Sequence, residues 1–568
     1  MIKDLIEVAR GRKKANLLLK NARVVDVFNC TIEEMNIAIS SGIFVGPGEY
    51  EAEEVLDLNG KIVAPGFIDG HVHIESSMLS PFEFGRAVVK NGTTAVVADP
   101  HEIVNVAGEA GLEYMIRASD FDFVDIFFML PSCVPATHLE TNGGEFGPKE
   151  IKKWLTNERV LGLAEMMNFP GVIHGDDEVL RKIEYSRGRI IDGHAPLLSG
   201  EKLNAYILAG ISSDHECTNF EEAKEKLSKG MFIMIREGSA ARNLDELIKL
   251  VNEKNHERFG FVTDDRHPDF LMDYGHINSM VKRAIKKGID PVVAFKLASF
   301  NTARYFNLRY RGAIAPGYLA DFVIIDDLEN FNILGVYKGG RPVVVEGEVC
   351  ADLKRPDTSF PDNSINTGKL DGSRLRIEAK TNRINVIEII PGQILTKKVV
   401  IDARIDNGEV VPDVEKDILK LVVVERHRAT GNIEIGFVRG IGIKAGAIAS
   451  TVAHDSHNII VVGTNDHDIL FAVERIKELG GGQVVVEDGR VLEELSLPIA
   501  GLMSDEPLEL LRKKCDRLNN AARTIGCRLE NPFMVLSFLA LPVIPELRLT
   551  DKGLVDVNKF DFVSIYAD

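Results

Sequence analysis

The chain has 568 residues, 45% hydrophobic and 27% charged, with 67 basic against 85 acidic side chains for a formal net charge of −18. That length predicts two to four domains, and the acidic balance excludes a phosphate-tracking nucleic-acid binder, which needs a basic face. No signal peptide is read in the first twenty residues, and the longest apolar run, Pro532 to Leu547, is broken by Pro542 and Pro545 short of the ~18–20 residues of a membrane span.

Residues 1–65 carry short alternating runs, "NLLLKNARVVDV", "NIAISSGIFVGPG" and "EVLDLNGKIVAPG", punctuated by Gly or Asn, the pattern of a small β layer. The same texture returns within 309–360 as "GAIAPGYLADFVIIDD" and "ILGVYKGGRPVVVEGEV", so the two flanks are expected to form one β-sandwich around a central domain. Residues 66–308 alternate apolar runs with amphipathic stretches. Eight runs, from "IVAPGFIDGHVH" to "FGFVTDD", fall in about 240 residues, the arithmetic of an α/β fold of the (β/α)8 TIM-barrel type. In "SPFEFGRAVVKNG" the spacing predicts a helix with a Ser80–Glu83 capping box, Pro81 at its first position and Gly92 after its end. Behind the turn-rich leader "PDTSFPDNSINTGKLDGS", residues 370–568 read as a separate α+β domain. Cysteines 30, 133, 217, 350, 515 and 527 form no C-x-x-C pair, which points to reduced thiols in a cytoplasmic protein.

The chemistry gathers where the apolar runs end. His71 and His73 share one face of a strand, because side chains two apart point the same way. Among 14 histidines one His-x-His is expected by chance about a third of the time, so further ligands must accompany it. They do: the second run ends in Asp99, His101 and Glu102, the fourth in Glu165, the fifth in His194, the sixth in His215 and the eighth in Asp264. Each is expected at the C-terminal rim, where a barrel converges its side chains. Packing is a poor explanation for such a set, since each buried polar group would need its own partner. Four histidines and two carboxylates suffice for two divalent ions sharing a carboxylate and a hydroxide.

With these residues in place the sequence resembles the amidohydrolase superfamily and, within it, the microbial adenine deaminases. The resemblance runs the whole chain, through "GFIDGHVHIESSM", "VADPHEIVNVAG", "LPSCVPAT", "GLAEMMNFPGV", "IDGHAP", "SSDHE", "REGSAARNL", "TDDRHPDFL", "STVAHDSHNIIVVGTND" and "LPIAGLMS". It implies hydrolysis of adenine to hypoxanthine and ammonia by metal-bound hydroxide at a binuclear site. The implied cofactor is two divalent ions, Mn2+ or else Fe2+, bridged by Glu165 where many relatives use a carboxylated lysine. His71, His73, Glu165 and Asp264 are assigned to one ion, and Glu165, His194 and His215 to the other. Asp264 is also expected to carry the proton from water to the leaving ammonia. The expected partners are adenine and water, with no nucleic acid, no membrane and a homodimer or larger homo-oligomer. The alternative is a sister amidohydrolase acting on another aminopurine or a cyclic amide.

Other residues are placed around this set. Glu237 is the first choice to protonate purine N1, against a plain salt bridge to Arg236 or Arg242; His101 and Glu102 are the second choice. His101 and Glu102 otherwise support a ligand by hydrogen bonding or bind a further ion. Ser76 and Ser77 line the pocket or cap the loop after the first strand. Asp265 is expected to accept a hydrogen bond from a purine ring N–H, because strand alternation lets only one of Asp264 and Asp265 face the axis. His138, His174 and His256 read as structural or surface residues. His454 and His457, in "AHDSHN", read as structural or interfacial, since no strand-end partners accompany them.

Overall fold

A computed structural model describes residues 2–239, 241–360, 364–391 and 393–567. Ala240 of "REGSAARNL" and residues 361–363 of the leader lie outside the described residues. The two flanks of the chain meet in a single nine-stranded sheet. Strands Ala15–Asp26, Thr31–Ser40, Ile43–Pro47, Ala52–Asp57 and Ile62–Pro65 come from one side, and Phe322–Ile325, Ile333–Lys338, Arg341–Val345 and Glu348–Val349 from the other. The seam is antiparallel, with Phe322 opposite Pro65 and Ile325 opposite Ile62. Leu19, Val24, Ile37, Phe44 and Phe322 pack beneath it, and Phe322 stacks on Tyr337 at 4.5 Å. β-Branched and aromatic side chains suit this half-buried pleated surface.

Between the flanks runs a curled parallel sheet. Its strands are Phe67–His73, Thr93–Ala98, Asp125–Leu130, Val160–Met166, Ile190–Gly193, Ser213–Asp214, Phe232–Arg236 and Phe259–Val262. Neighbours pair in parallel along two arcs. One junction is made by Asp264–Asp265, which pairs back on the first strand opposite Val72 and His73. The other is bridged by the Ser212 N–H, which donates to Ile191 O at 3.0 Å. Ile68, Ala95, Val97, Met129, Ala164, Met234 and Val262 form one buried cluster that fills the interior. A barrel of this kind is a packed core, so the strand ends alone are left for chemistry.

Two local expectations need correction. The helix Pro81–Lys90 forms with Pro81 at its start, but Ser80 makes no side-chain cap. Glu83 is drawn instead to Arg86, at 3.0 Å, and to Arg355, so no capping box closes. The second correction concerns His101 and Glu102, which do not end a strand but open the helix His101–Ala107. Asp99 still organises that turn, accepting from the His101 N–H at 3.1 Å.

The C-terminal part has an eight-stranded sheet of its own, flanked by helices Asp466–Leu479, Leu508–Thr524 and Pro532–Phe538. It does not stand apart from the barrel. Ser80 N donates to Ser504 O and Ser504 N to Met78 O, each at 2.8 Å. Thr550 Oγ1 donates to Leu139 O at 2.7 Å, and the Asn458 amide to Thr141 O at 2.8 Å. These contacts seat the C-terminal part on loops at the C-terminal ends of the barrel strands. No helix among the described residues is long and apolar enough to cross a membrane.

Candidate metal centre

His71, His73, Glu165, His215 and Asp264 are all buried, and His194 is partly so, at the end of the barrel. Glu165 lies at the middle. Its Oε1 is 3.3 Å from His73 Nε2 and 3.8 Å from His71 Nε2. Its Oε2 is 2.5 Å from His194 Nδ1 and 3.2 Å from His215 Nε2. Asp264 Oδ1 completes the first set, 3.0 Å from His73 Nε2 and 3.4 Å from His71 Nε2. One carboxylate thus gives one oxygen to each of two histidine pairs.

The donor set fits divalent ions on three counts. Donors about 2.1 Å from one ion at tetrahedral angles stand roughly 3.4 Å apart, which is the spacing of the first set. His71 Nε2, which faces the cluster, is buried with no hydrogen-bond partner, a costly state for packing alone. His73 Nδ1 lies 2.9 Å from Asp99 O; a carbonyl only accepts, so Nδ1 carries the proton and the Nε2 lone pair faces the cluster. His101 belongs to the rim of this centre, with Nδ1 3.1 Å from Asp99 Oδ2 and 3.7 Å from Glu165 Oε1. In the chain alone, burial would push the Glu165 carboxyl up, but His194 and the other histidines outweigh it and hold it well below the usual range. Burial likewise opposes charge on His194, yet Glu216 and Glu165 raise it to about 9.

Two residues overlooked in the sequence complete the arrangement. Arg236 donates to Asp264 Oδ2 at 2.7 Å and also binds Glu216. Glu216 Oε1 stands 3.6 Å from His215 Nε2 and 3.8 Å from His194 Nδ1. Their only signal was adjacency, Glu216 to His215 in "SSDHE" and Arg236 to the selected Glu237.

Three expected roles change. Glu237 is not at the cluster: Arg283 holds its Oε2 at 2.7 Å, and its Oε1 accepts from Leu244 N–H at 3.3 Å. Ser77 does not line the pocket; its hydroxyl donates to Ile74 O at 2.6 Å and caps the turn. Strand alternation does not decide between Asp264 and Asp265, because Asp264 has a left-handed backbone with φ 57°. Asp264 faces the histidines, while Asp265 accepts from Ser76 Oγ at 2.5 Å across the mouth. Ser76 lines a cavity there, with Glu75, Glu102 and His267 from the barrel and His454, His457 and Gln483 from the C-terminal part. His454 and His457 do have a partner: both bind Glu102, His454 Nδ1 at 2.8 Å.

Residues 62–343 match the model of the Amidohydrolase family, and residues 393–561 that of the Adenine deaminase C-terminal domain. The chain is 50% identical to an adenine deaminase of Desulfatibacillum aliphaticivorans, over 100% of both chains. It is 49% identical to adenine deaminase 2 of Carboxydothermus hydrogenoformans and 50% identical to an adenine deaminase of Dehalococcoides mccartyi, each over 99% of both chains. With that likeness sustained end to end and both family models matched, the chain belongs to the adenine deaminase family of amidohydrolases.

Proposed function

We propose that the chain hydrolyses adenine to hypoxanthine and ammonia, with His71, His73, Glu165 and Asp264 holding one divalent ion and Glu165, His194 and His215 a second. The observation that carries this reading is the coincidence of a full-length match to adenine deaminases with one carboxylate divided between two histidine pairs. When bound, such ions, Mn2+ by preference and Fe2+ otherwise, supply the Lewis acidity that brings the pKa of water down to about 7.

The chain's own residues do the rest. Asp264, fixed by Arg236 through Oδ2, offers Oδ1 to the proton that water loses and returns that proton to the leaving nitrogen. Asp265, steadied by Ser76, accepts from a ring N–H of the purine. A site built around such an acceptor discriminates among purines, because an analogue lacking the N–H leaves that carboxylate short of a donor. Three units serve this chemistry: a β-sandwich of residues 1–65 with 309–360, a TIM-type barrel of 66–308, and a C-terminal α+β domain of 370–568. The same reading gives a cytoplasmic homodimer or larger homo-oligomer.

The test is ammonia release from adenine, adenosine, guanine and cytosine, with metal per chain measured on the same sample. Release from adenine at about two ions per chain is expected. Faster release from another base, or from a cyclic amide, would move the chain to a sister activity.

A further inference from the structure

The C-terminal part sends one loop, between strands Ala447–Ser450 and Ile459–Gly463, into the barrel mouth. Its His454 and His457 are 6% and 1% exposed and both reach Glu102, itself 3% exposed. Three such groups within ligand distance of one another resemble a further metal site. The hydrogen bonds argue otherwise. The Ala453 N–H points at His457 Nδ1 at 3.2 Å, so Nδ1 is the accepting nitrogen and Nε2 carries the proton given to Glu102. An ion on Nε2 would displace that proton and leave the neutral ring protonated at Nδ1, where it would meet the Ala453 N–H head-on.

His454 is oriented differently. Its Nδ1 faces Glu102 Oε1 at 2.8 Å, and an ionised carboxylate only accepts, so that nitrogen is an N–H. Phe538 stacks on the ring at 4.8 Å and 24°, fixing its plane. No described protein group hydrogen-bonds to Nε2, and His454 lines the cavity it shares with Ser76 and Gln483. The neighbouring Asp455 is 5% exposed and keeps Oδ2 without a partner. The loop is held rigidly: Arg426 grips His457 O and Ala500 O, and the His454 N–H donates to Ser537 O at 3.1 Å.

We propose that His454 is a substrate-contacting residue, its Nε2 bonding a ring nitrogen of the purine while Glu102 and Phe538 hold the imidazole in place. The barrel thereby supplies the ions and the C-terminal part supplies a wall of the base pocket. This rests on the adenine reading above.

His454→Asn is the discriminating variant, because its amide can still meet Glu102 from the Nδ1 position but has nothing at Nε2. Expected are unchanged metal content and melting temperature, a fall in kcat/KM for adenine of a hundredfold or more, and hypoxanthine binding by calorimetry weakened at least tenfold. His454→Gln abandons Glu102 but places an amide near Nε2, so it should bind hypoxanthine more tightly than His454→Ala; this comparison serves if His454→Asn does not fold. Wild-type kcat/KM and hypoxanthine affinity in His454→Asn would overturn the proposal. So would loss of metal from that variant, which would make His454 a support of the centre. If instead the metal-loaded wild type deaminates no purine, the adenine reading fails, not this assignment alone.

Discussion

Replacing Glu165 by Gln is the sharpest probe of the centre, because the two side chains have nearly the same shape. Glu165 gives Oε1 to the His71–His73 side and Oε2 to the His194–His215 side, at 3.3 and 2.5 Å from their nearest nitrogens. Whichever way the amide is turned, one side meets an NH2 in place of an anionic oxygen. Removing one member of a buried charged pair costs about 3–5 kcal/mol, or roughly 200- to 5000-fold in affinity for the ion that loses its oxygen. Metal per chain, measured by atomic absorption after exhaustive dialysis, should fall from two to one or none. Ammonia release should fall with it, while circular dichroism stays that of the wild type. Two ions retained at wild-type affinity, with turnover within threefold, would refute the bridging role of Glu165.

Three further outcomes follow from the same geometry. Asp264→Asn should lower turnover by about 10²- to 10⁴-fold with little change in KM, whereas Asp265→Asn should chiefly raise KM and relax discrimination among purines; the reverse pattern in steady-state kinetics would interchange the two roles. Glu237→Gln should keep near wild-type turnover and lose on the order of 1 kcal/mol of stability with its Arg283 pair, read as a small drop in melting temperature. A chain ending near residue 365 should not stay soluble and active, because it strips Ser504, Thr550 and the His454 loop from the barrel mouth; a soluble, fully active truncate would contradict this.

The barrel and its ligands were legible because both are local. Period-two apolar runs with polar ends give the strands, and a residue at a strand's C-terminal end is placed by topology alone. What was not legible is pairing at long range. Glu102 and His454 lie 352 residues apart, and no periodicity connects them. "AHDSHN" looked partnerless only because its partner is a barrel residue. The Ser80–Glu83 signature failed for a related reason: Arg355, 272 residues away, competes for the carboxylate that the cap needed.

Arg236 and Glu237 turn on the alternation of side chains along a strand. Neighbours at a strand end face opposite ways, so one of the two reaches the axis and the other faces the surrounding layer. Arg236 takes the inner position, because the buried Asp264 and the partly buried Glu216 are two anions that need a cation between them. Glu237 is therefore turned outward, where Arg283 on the helix Ile277–Lys286 meets it. Motif reading favours the carboxylate as the chemical group of the pair. Electrostatics favours the arginine, since two anions at the rim without it would repel each other and weaken Asp264 as a ligand. Arg236 is thus a positioning residue for Asp264, and its guanidinium fork, matched to two carboxylates at once, is a geometry that lysine cannot reproduce.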